Sequence, residues 1–322
     1  LNISTLKILG GKSMNMNAME RLNKAIAETN CRIVAGLDPT VEILPAYMQG
    51  KIVASSDKAW EEAKVIEEFC RDYIWTISDI VPAIKINSAF FEKEHLQPVF
   101  RSVARYAKSL NLYVIGDLKR ADIGSTSKAY AEAWLGEDQP FDAITINPYF
   151  GTDGVKPLIE MAAENEKGVF VLVKTSNDSS AEIQDQVIFG SRNPVYHEVA
   201  HLVNMWGASV SDGYYYNPVG AVVGATHPKD AELLRAYMPN TMFLVPGYGA
   251  QGATAKDVAV NFDQNGLGAI VNSSRGLMCA YKKDKYKEFV GEFGKGWEEA
   301  TKAACLDAKE DINNAVNPEI KY

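Results

Sequence analysis

A cluster of charged residues follows directly on an apolar run in the middle of the chain. Residues 112–116 are predicted to form a buried strand, and Asp117, Lys119 and Asp122 come next. Because Asp117 and Lys119 are two positions apart, an extended backbone would point both side chains to one face. Burying such charges is costly unless they are paired. The spacing therefore predicts an acid–base pair at a strand end, with a second carboxylate in the turn beyond it.

Eight short apolar runs recur along the chain, with helical stretches between them. Each run is almost continuously apolar, as expected for a strand that is covered on both faces. The runs lie at residues 33–37, 83–86, 112–118, 143–146, 169–173, 220–223, 242–245 and 269–271. Helical periodicity at 59–75 and 99–109 fills two of the gaps. This alternation predicts a single-domain (β/α)8 TIM barrel and favours it over an open doubly wound sheet.

Several segments lie outside this simple alternation. The connections 39–80 and 177–219 are long enough to hold extra helices or a lid. Residues 282–309 carry an amphipathic helical pattern, and a polar tail follows. Residues 1–15 match no element and are interpreted as a tag or an N-terminal extension, which leaves 16–322 as the barrel domain.

The amino-acid composition and net charge of the chain limit the kinds of molecule that it is expected to bind. The chain has 322 residues, 47% of them hydrophobic, which is enough for one large core. A formal net charge of −8 argues against a general nucleic-acid surface or an anionic-membrane surface. The four cysteines are scattered without a CxxC pair, and we see neither a signal peptide nor a membrane span. We therefore expect a reduced, cytoplasmic protein.

Polar residues follow the predicted strands, and in a barrel these strand ends converge on one mouth. Asp38 and Lys85 end the first two strands, and with Asp117 and Lys119 they would form an alternating ring of acids and bases. Perturbed charges of this kind cluster at active sites. The alternative is a structural ion-pair network at the barrel rim.

A glycine-rich loop follows the seventh strand. Gly247, Gly249 and Gly252 match G-x-G-x-x-G, which in a Rossmann fold would bind a dinucleotide. That motif belongs to the first strand–helix turn of its fold, whereas here it comes late. Since the loops after strands 7 and 8 are the recurrent phosphate site of TIM barrels, we predict a phosphate cradle with Gln251 and Arg275. Plain turns remain the alternative.

Two further motifs allow other chemistry. Residues 197–201 match H-E-x-x-H, whose two histidines could ligate zinc on one helix face, but no third ligand follows within a few residues. A solvated helix face is the favoured interpretation. Lys174, at the end of the fifth strand, could form a Schiff base, although a salt-bridged lysine fits its neighbours better.

At this point the motifs resemble those of the orotidine 5′-phosphate decarboxylase family. The most specific is Asp117-x-Lys119-x-x-Asp122 with Thr126 four residues further on. Supporting motifs lie at 36–39, 83–87, 173–177, 246–252 and Arg275, in the family's order over roughly residues 33–280. The long connections resemble the larger, type 2-like branch of that family.

The resemblance implies a cofactor-free, metal-free decarboxylation of orotidine 5′-monophosphate to uridine 5′-monophosphate in pyrimidine biosynthesis. It implies that Asp117 faces the substrate carboxylate, and that Lys119 stabilises and protonates the C6 carbanion. Asp38 and Lys85 would hold the ribose hydroxyls and the charge network.

The remaining implied roles concern substrate binding and assembly. Ser176 would contact the pyrimidine, and Gln251 and Arg275 would bind the phosphate. Asp122 and Thr126 would reach into the neighbouring subunit's site, so the resemblance implies a homodimer.

Two rival functions stay open at this stage. One is a related barrel that uses the same D-x-K-x-x-D frame on a sugar phosphate with magnesium. That site commonly needs a Glu at the end of the preceding strand, where this chain has Lys85-Ile86-Asn87. The other is a non-catalytic phosphometabolite-binding barrel, which would keep Arg275 and the glycine loop but would not need Lys119.

Overall fold

The computed structural model describes residues 16–316 and shows eight parallel strands closed into a barrel. The strands are β1 Ile33–Leu37, β2 Ala83–Asn87, β3 Tyr113–Arg120, β4 Ala143–Ile146, β5 Gly168–Lys174, β6 Val219–Val223, β7 Phe243–Val245 and β8 Ala269–Ser273. Each strand pairs with the next in sequence, and β8 pairs with β1. The predicted TIM barrel is confirmed, and the ends of its strands differ from the predicted ones by no more than two residues.

Helices surround the strands. They are α1 Ala18–Thr29, α2 Ala46–Ala54, α3 Lys58–Ile77, α4 Gln97–Ser109, α5 Gly124–Leu135, α6 Thr152–Glu164, α7 Val195–Ser209, α8 Pro228–Tyr237, α9 Ala255–Ala259, α10 Arg275–Met278 and α11 Trp297–Val316. The predicted helices at 59–75 and 99–109 correspond to α3 and α4. The first long connection holds the additional helix α2, and the second holds a short 3-10 turn, Asp178–Glu182, before α7.

The continuous helical pattern predicted for 282–309 is wrong in its first half. Residues 280–294 form short 3-10 turns, and the α-helix begins only at Trp297 and continues to Val316. Gly294 and Gly296 have φ angles of +83° and +82°, a left-handed conformation that ends helical geometry and that glycine adopts at little cost. The predicted extension at 1–15 lies outside the described residues.

Two separate hydrophobic cores account for the stability of the barrel. One lies between the strands and the outer helices and includes Ile84, Val114 and Ile144. The other fills the barrel interior, where Ile115 and Phe170 are fully buried, and α1 closes its lower end. Side chains alternate between these two cores along each strand, as the two-residue period of a strand requires.

This alternation carries polar side chains to the top of the interior core. Ala83, Ile115 and Ala143 point inward. Two residues further along the same strands come Lys85, Asp117 and Thr145, which line a pocket at the carboxyl ends of the strands. The charged groups therefore lie directly above an apolar floor.

Two findings concern the predictions about membrane spans and about the redox state of the cysteines. Among residues 16–316, no helix has both the length and the apolar composition needed to cross a membrane. All four cysteines are unpaired, and three of them are buried.

Candidate active site

Asp117 is the centre of the polar cluster. Its Oδ2 lies 2.6 Å from Lys85 Nζ, and its Oδ1 lies 2.5 Å from Lys119 Nζ. The side chains of Asp117 and Lys85 are 9% and 6% exposed, whereas that of Lys119 is 50% exposed. One carboxylate thus joins a buried ammonium group to one that faces the open pocket.

The two lysines keep Asp117 ionised. Burial by itself would raise the pKa of this carboxyl, but the charges and hydrogen bonds of Lys85 and Lys119 outweigh it and hold the pKa well below its usual range. Burial likewise works to lower the pKa of Lys85, yet Asp117 and then Asp38 raise it above the ordinary lysine value. Asp117 and Lys85 are therefore both charged at neutral pH.

A break in the strand geometry brings Lys119 to Asp117. The β3–β4 register shifts between Gly116 and Arg120, and Lys119 has a φ of +49°, which is unusual for a residue with a side chain. Asp117 and Lys119 are in contact, as predicted. The contact depends on this bulge and not on a regular extended strand. Backbone strain of this kind is often found at functional sites.

Thr145 supports the bulge and was missed by the sequence analysis. Its Oγ1 accepts hydrogen bonds from the backbone N–H groups of Leu118 and Lys119, at 2.9 and 3.0 Å, and donates to Asp117 Oδ1 at 2.9 Å. The one available signal was a lone polar residue inside the apolar run 143–146. Thr145 therefore orients the carboxylate and satisfies the two donors that the bulge frees.

A pocket of about 420 Å³ surrounds this cluster. The predicted residues Asp38, Lys85, Asp117, Lys119, Ser176 and Gln251 all line it, together with Thr145, Leu172, Thr175, Asn177, Val222, Leu244, Pro246 and Asn272. Asp38 Oδ1 and Asn272 Oδ1 are buried and have no hydrogen-bond partner among the described residues. Because unpaired buried oxygens are costly, these two acceptors suit a ligand rich in hydroxyl or N–H donors.

The glycine loop separates this pocket from a larger cleft. Gly247, Gly249 and Gly252 have φ angles of +113°, +71° and +91°, so the sharp turns of the loop depend on glycine. Gln251 faces the pocket, whereas Arg275 lines the neighbouring cleft of about 1090 Å³. The predicted phosphate ligands therefore lie on the two sides of one wall, which the loops after β7 and β8 build.

Asp122 and Thr126 do not line the pocket of this chain. Asp122 Oδ1 accepts a hydrogen bond from the adjacent backbone N–H of Ile123 at 2.8 Å, and Thr126 is exposed on the first turn of α5. A role for these two residues requires that their side chains face another molecule.

The other two motifs take no part in the pocket. His201 Nδ1 lies 3.1 Å from the Tyr237 hydroxyl, and the His197 ring packs against the same tyrosine. In residues 16–316 no group of three or more His, Cys, Asp or Glu side chains is arranged to hold a metal ion. Lys174 is fully buried and points away from the pocket, toward Asp185 and Asp230.

Comparison with known proteins gives consistent matches. The model of the orotidine 5′-phosphate decarboxylase / HUMPS family matches residues 32–288, which include all eight strands. An orotidine 5′-phosphate decarboxylase of Rhodopirellula baltica is 39% identical over 307 residues, covering 92% of this chain and 99% of that protein. One from Caldicellulosiruptor bescii is 37% identical over 314 residues, covering 94% and 100%. The structure of Leishmania donovani OMP decarboxylase superposes with a TM-score of 0.69 at 28% identity, over 92% of this chain and 99% of that one.

The lowered pKa of Asp117 predicts a specific pH dependence of stability. Asp117→Asn removes the carboxylate that Lys85 and Lys119 share and should reduce the free energy of unfolding at neutral pH by about 3–5 kcal/mol. Since the folded-state pKa is depressed, the contribution is complete above the unfolded value near 4 and is lost as the pH falls below it. Urea denaturation of both proteins should show the gap shrinking below about pH 4. The exposed Asp284→Asn serves as control, and a gap that grows on acidification would contradict the charge assignment.

Proposed function

The chain belongs to the orotidine 5′-phosphate decarboxylase / HUMPS family and is a decarboxylase of that family, and we propose that Lys119 donates the proton that replaces the lost carboxylate. In this reaction the bond between C6 of orotidine 5′-monophosphate and its carboxylate breaks, and carbon dioxide leaves. The electron pair stays on C6. The Lys119 ammonium stabilises that charge and transfers a proton to it, which gives uridine 5′-monophosphate.

The difference in exposure between the two lysines carries this proposal. Lys85 and Lys119 contact the same carboxylate, but the side chain of Lys85 is 6% exposed and that of Lys119 is 50% exposed. Lys119 can therefore reach a substrate and can regain its proton from solvent. Lys85, which is buried beneath, keeps Asp117 ionised and so keeps Lys119 oriented.

The size of the energies involved favours stabilisation of the carbanion by Lys119 over repulsion between Asp117 and the substrate carboxylate as the main source of catalysis. Two unit charges 4 Å apart interact by about 4 kcal/mol at an effective dielectric constant of 20. Repulsion between Asp117 and the substrate carboxylate is therefore worth a few kcal/mol, whereas very slow reactions need a lowering of the barrier of up to roughly 20 kcal/mol. Lys119 supplies a large share, and binding of the distant phosphate helps by fixing the substrate in place.

The rest of the pocket suits the two ends of a nucleotide. Asp38, with its unpaired buried oxygen, can accept a hydrogen bond from a ribose hydroxyl next to Lys85. Ser176 lies on the opposite side, above the apolar residues Leu172 and Val222, and would contact the pyrimidine. Gln251 and Arg275, on the loops after β7 and β8, would bind the phosphate at the rim between the pocket and the neighbouring cleft.

A homodimer would give Asp122 and Thr126 a role. Both lie outside the pocket of their own chain. Near them the surface is apolar, since Ile123, Tyr149 and Phe150 are 54%, 82% and 52% exposed. A contiguous apolar surface of this kind marks protein–protein contacts. We propose that two chains meet there and that Asp122 and Thr126 complete the partner's pocket.

The proposal needs neither a cofactor nor a nucleic-acid partner, because the reacting groups named above are side chains and the substrate is a single nucleotide. A cytoplasmic location stays a prediction. It is supported by four cysteines that are unpaired although three of them are buried within the fold.

Replacing Lys119 tests the proton donor. Lys119→Ala should lower turnover of orotidine 5′-monophosphate, followed by ultraviolet absorbance, by more than about 10⁴-fold, since the general acid and the stabilising charge are both lost. Circular dichroism should remain native. Lys58→Ala, which removes an exposed lysine from α3, is the matched control. Full activity of Lys119→Ala would rule out the mechanism.

Replacing Arg275 tests the phosphate site. Loss of a charge-assisted hydrogen bond of about 1.5–3 kcal/mol should raise KM for orotidine 5′-monophosphate roughly 10- to 150-fold while kcat changes little. Orotidine lacks the phosphate, so its slow decarboxylation should be the same in Arg275→Ala and in the wild type. A wild-type KM for the nucleotide would remove Arg275 from the site.

Mixing two inactive variants tests the shared site. If Asp122 acts on the partner's pocket, a heterodimer of Lys119→Ala and Asp122→Ala chains contains one intact pocket and one doubly altered pocket. Random association of equal amounts should then restore about a quarter of wild-type activity, because half of the dimers are mixed. No recovery after denaturation and joint refolding, under conditions that restore the wild type, would place Asp122 in its own chain's site.

A further inference from the structure

We propose that Lys174 and Asp185, supported by Asp230 and Tyr196, form a latch that positions the loop after β5 and thereby holds Ser176 against the base of the nucleotide. These are positioning residues, and the inference rests on the proposed function. It concerns the recognition of the base and not the chemical step.

Lys174 is the last residue of β5 and lies outside the pocket. The β5–β6 register shifts between Leu172 and Lys174, so Leu172 lines the pocket while Lys174 turns outward between α7 and α8. There its ammonium forms an ion pair with Asp185 and lies 3.8 Å from Asp230 Oδ2. The side chain is completely buried, which leaves no solvent to compensate the charge.

An aromatic ring completes the surroundings of the ammonium. The nitrogen lies 5.1 Å from the centre of the Tyr196 ring, a distance typical of a cation–π contact. The Tyr196 hydroxyl donates a hydrogen bond to Asp230 Oδ1 at 3.2 Å and so fixes that carboxylate. Groups from β5, the following connection, α7 and α8 therefore meet at one nitrogen.

The residue before Asp185 extends the latch to the pocket. The Gln184 side chain accepts a hydrogen bond from the Thr175 backbone N–H at 2.9 Å and donates one to Thr175 Oγ1 at 2.7 Å. Gln184 and Asp185 thus hold Thr175 and Lys174 side by side. Thr175 and Ser176 both line the pocket.

The other side of Ser176 is fixed by the end of β6. The Gly224 N–H donates to the Lys174 carbonyl at 2.7 Å, and Thr226 Oγ1 donates to the Ser176 carbonyl at 3.2 Å. A Cβ on Gly224 would lie 2.8 Å from Ser176 Cα, so the two backbones are in close contact. Ser176 is therefore held between a rigid strand end and the latch.

Apolar packing contributes little to holding the connection around Asp185, so polar contacts have to anchor it. Ile183, Val187 and Phe189 are 62%, 66% and 99% exposed, so the segment around Asp185 buries little apolar surface. A buried ammonium group, in contrast, is costly without a counter-charge. The ion pair with Asp185 and the two Gln184–Thr175 hydrogen bonds therefore hold the connection in place beside Ser176.

Two ligands that differ in the base separate a latch from a general structural role. Uridine 5′-monophosphate carries the base, whereas ribose 5-phosphate reaches only the ribose and phosphate groups. Both are measured as competitive inhibitors of orotidine 5′-monophosphate turnover. The variants are Asp185→Asn, Lys174→Met and the conservative Asp185→Glu, and the matched control is Glu182→Gln, which removes an exposed carboxylate three residues earlier.

We expect Asp185→Asn and Lys174→Met to weaken binding of uridine 5′-monophosphate about 10- to 100-fold, as displacement of a contact by about 1 Å can do. Binding of ribose 5-phosphate should stay within about twofold of wild type, and Asp185→Glu should retain most of the affinity for the nucleotide. Asp185→Asn leaves Asp230 beside Lys174, so this variant keeps a counter-charge and tests the idea even where Lys174→Met does not fold.

Two results would overturn the latch. One is that Asp185→Asn binds both ligands as Glu182→Gln does. The other is that Asp185→Asn loses affinity for both ligands equally, which would indicate a general structural effect. Neither result touches the proposed function, which fails separately if the wild type does not decarboxylate orotidine 5′-monophosphate.

Discussion

The Asp117 carboxylate, shared by two ammonium groups, is the interaction on which the rest of the structure depends. A carboxylate this deeply buried would be neutral without counter-charges. With Lys85 below and Lys119 beside it, the carboxylate stays charged and fixes the direction of both lysines. The arrangement also gives the lysines different roles, because one is sealed from solvent and the other faces the pocket.

The barrel places these charged groups at the top of its apolar interior. Ile115 and Phe170 fill the space below, so the charged groups contact apolar residues beneath them and face the pocket above. The loops after β5 and β7 and the end of β8 all contribute side chains to the wall of the pocket. The charged residues that line the pocket, two lysines and two aspartates, balance one another, so the site does not share the net charge of −8 that the whole chain carries.

Much of this follows from the sequence because strand periodicity is a local property. The apolar runs gave all eight strands, since a strand buried on both faces needs apolar residues at nearly every position. The same period brought Lys85 and Asp117 into one pocket, because strand ends in a barrel converge. Local pattern was misleading at 282–309, where two glycines in left-handed conformations interrupt the apparent helix before Trp297.

The sequence by itself determined the order of the strands and the chemical types of the groups at their ends. Only the tertiary structure decided which of these groups meet, because contacts between strands depend on register. The bulge at Lys119 is supported by Thr145 from the neighbouring strand, and a second register shift turns Lys174 out of the pocket and toward Asp185. A one-residue shift reverses the direction of a side chain, and its cause lies in partners that are distant along the chain.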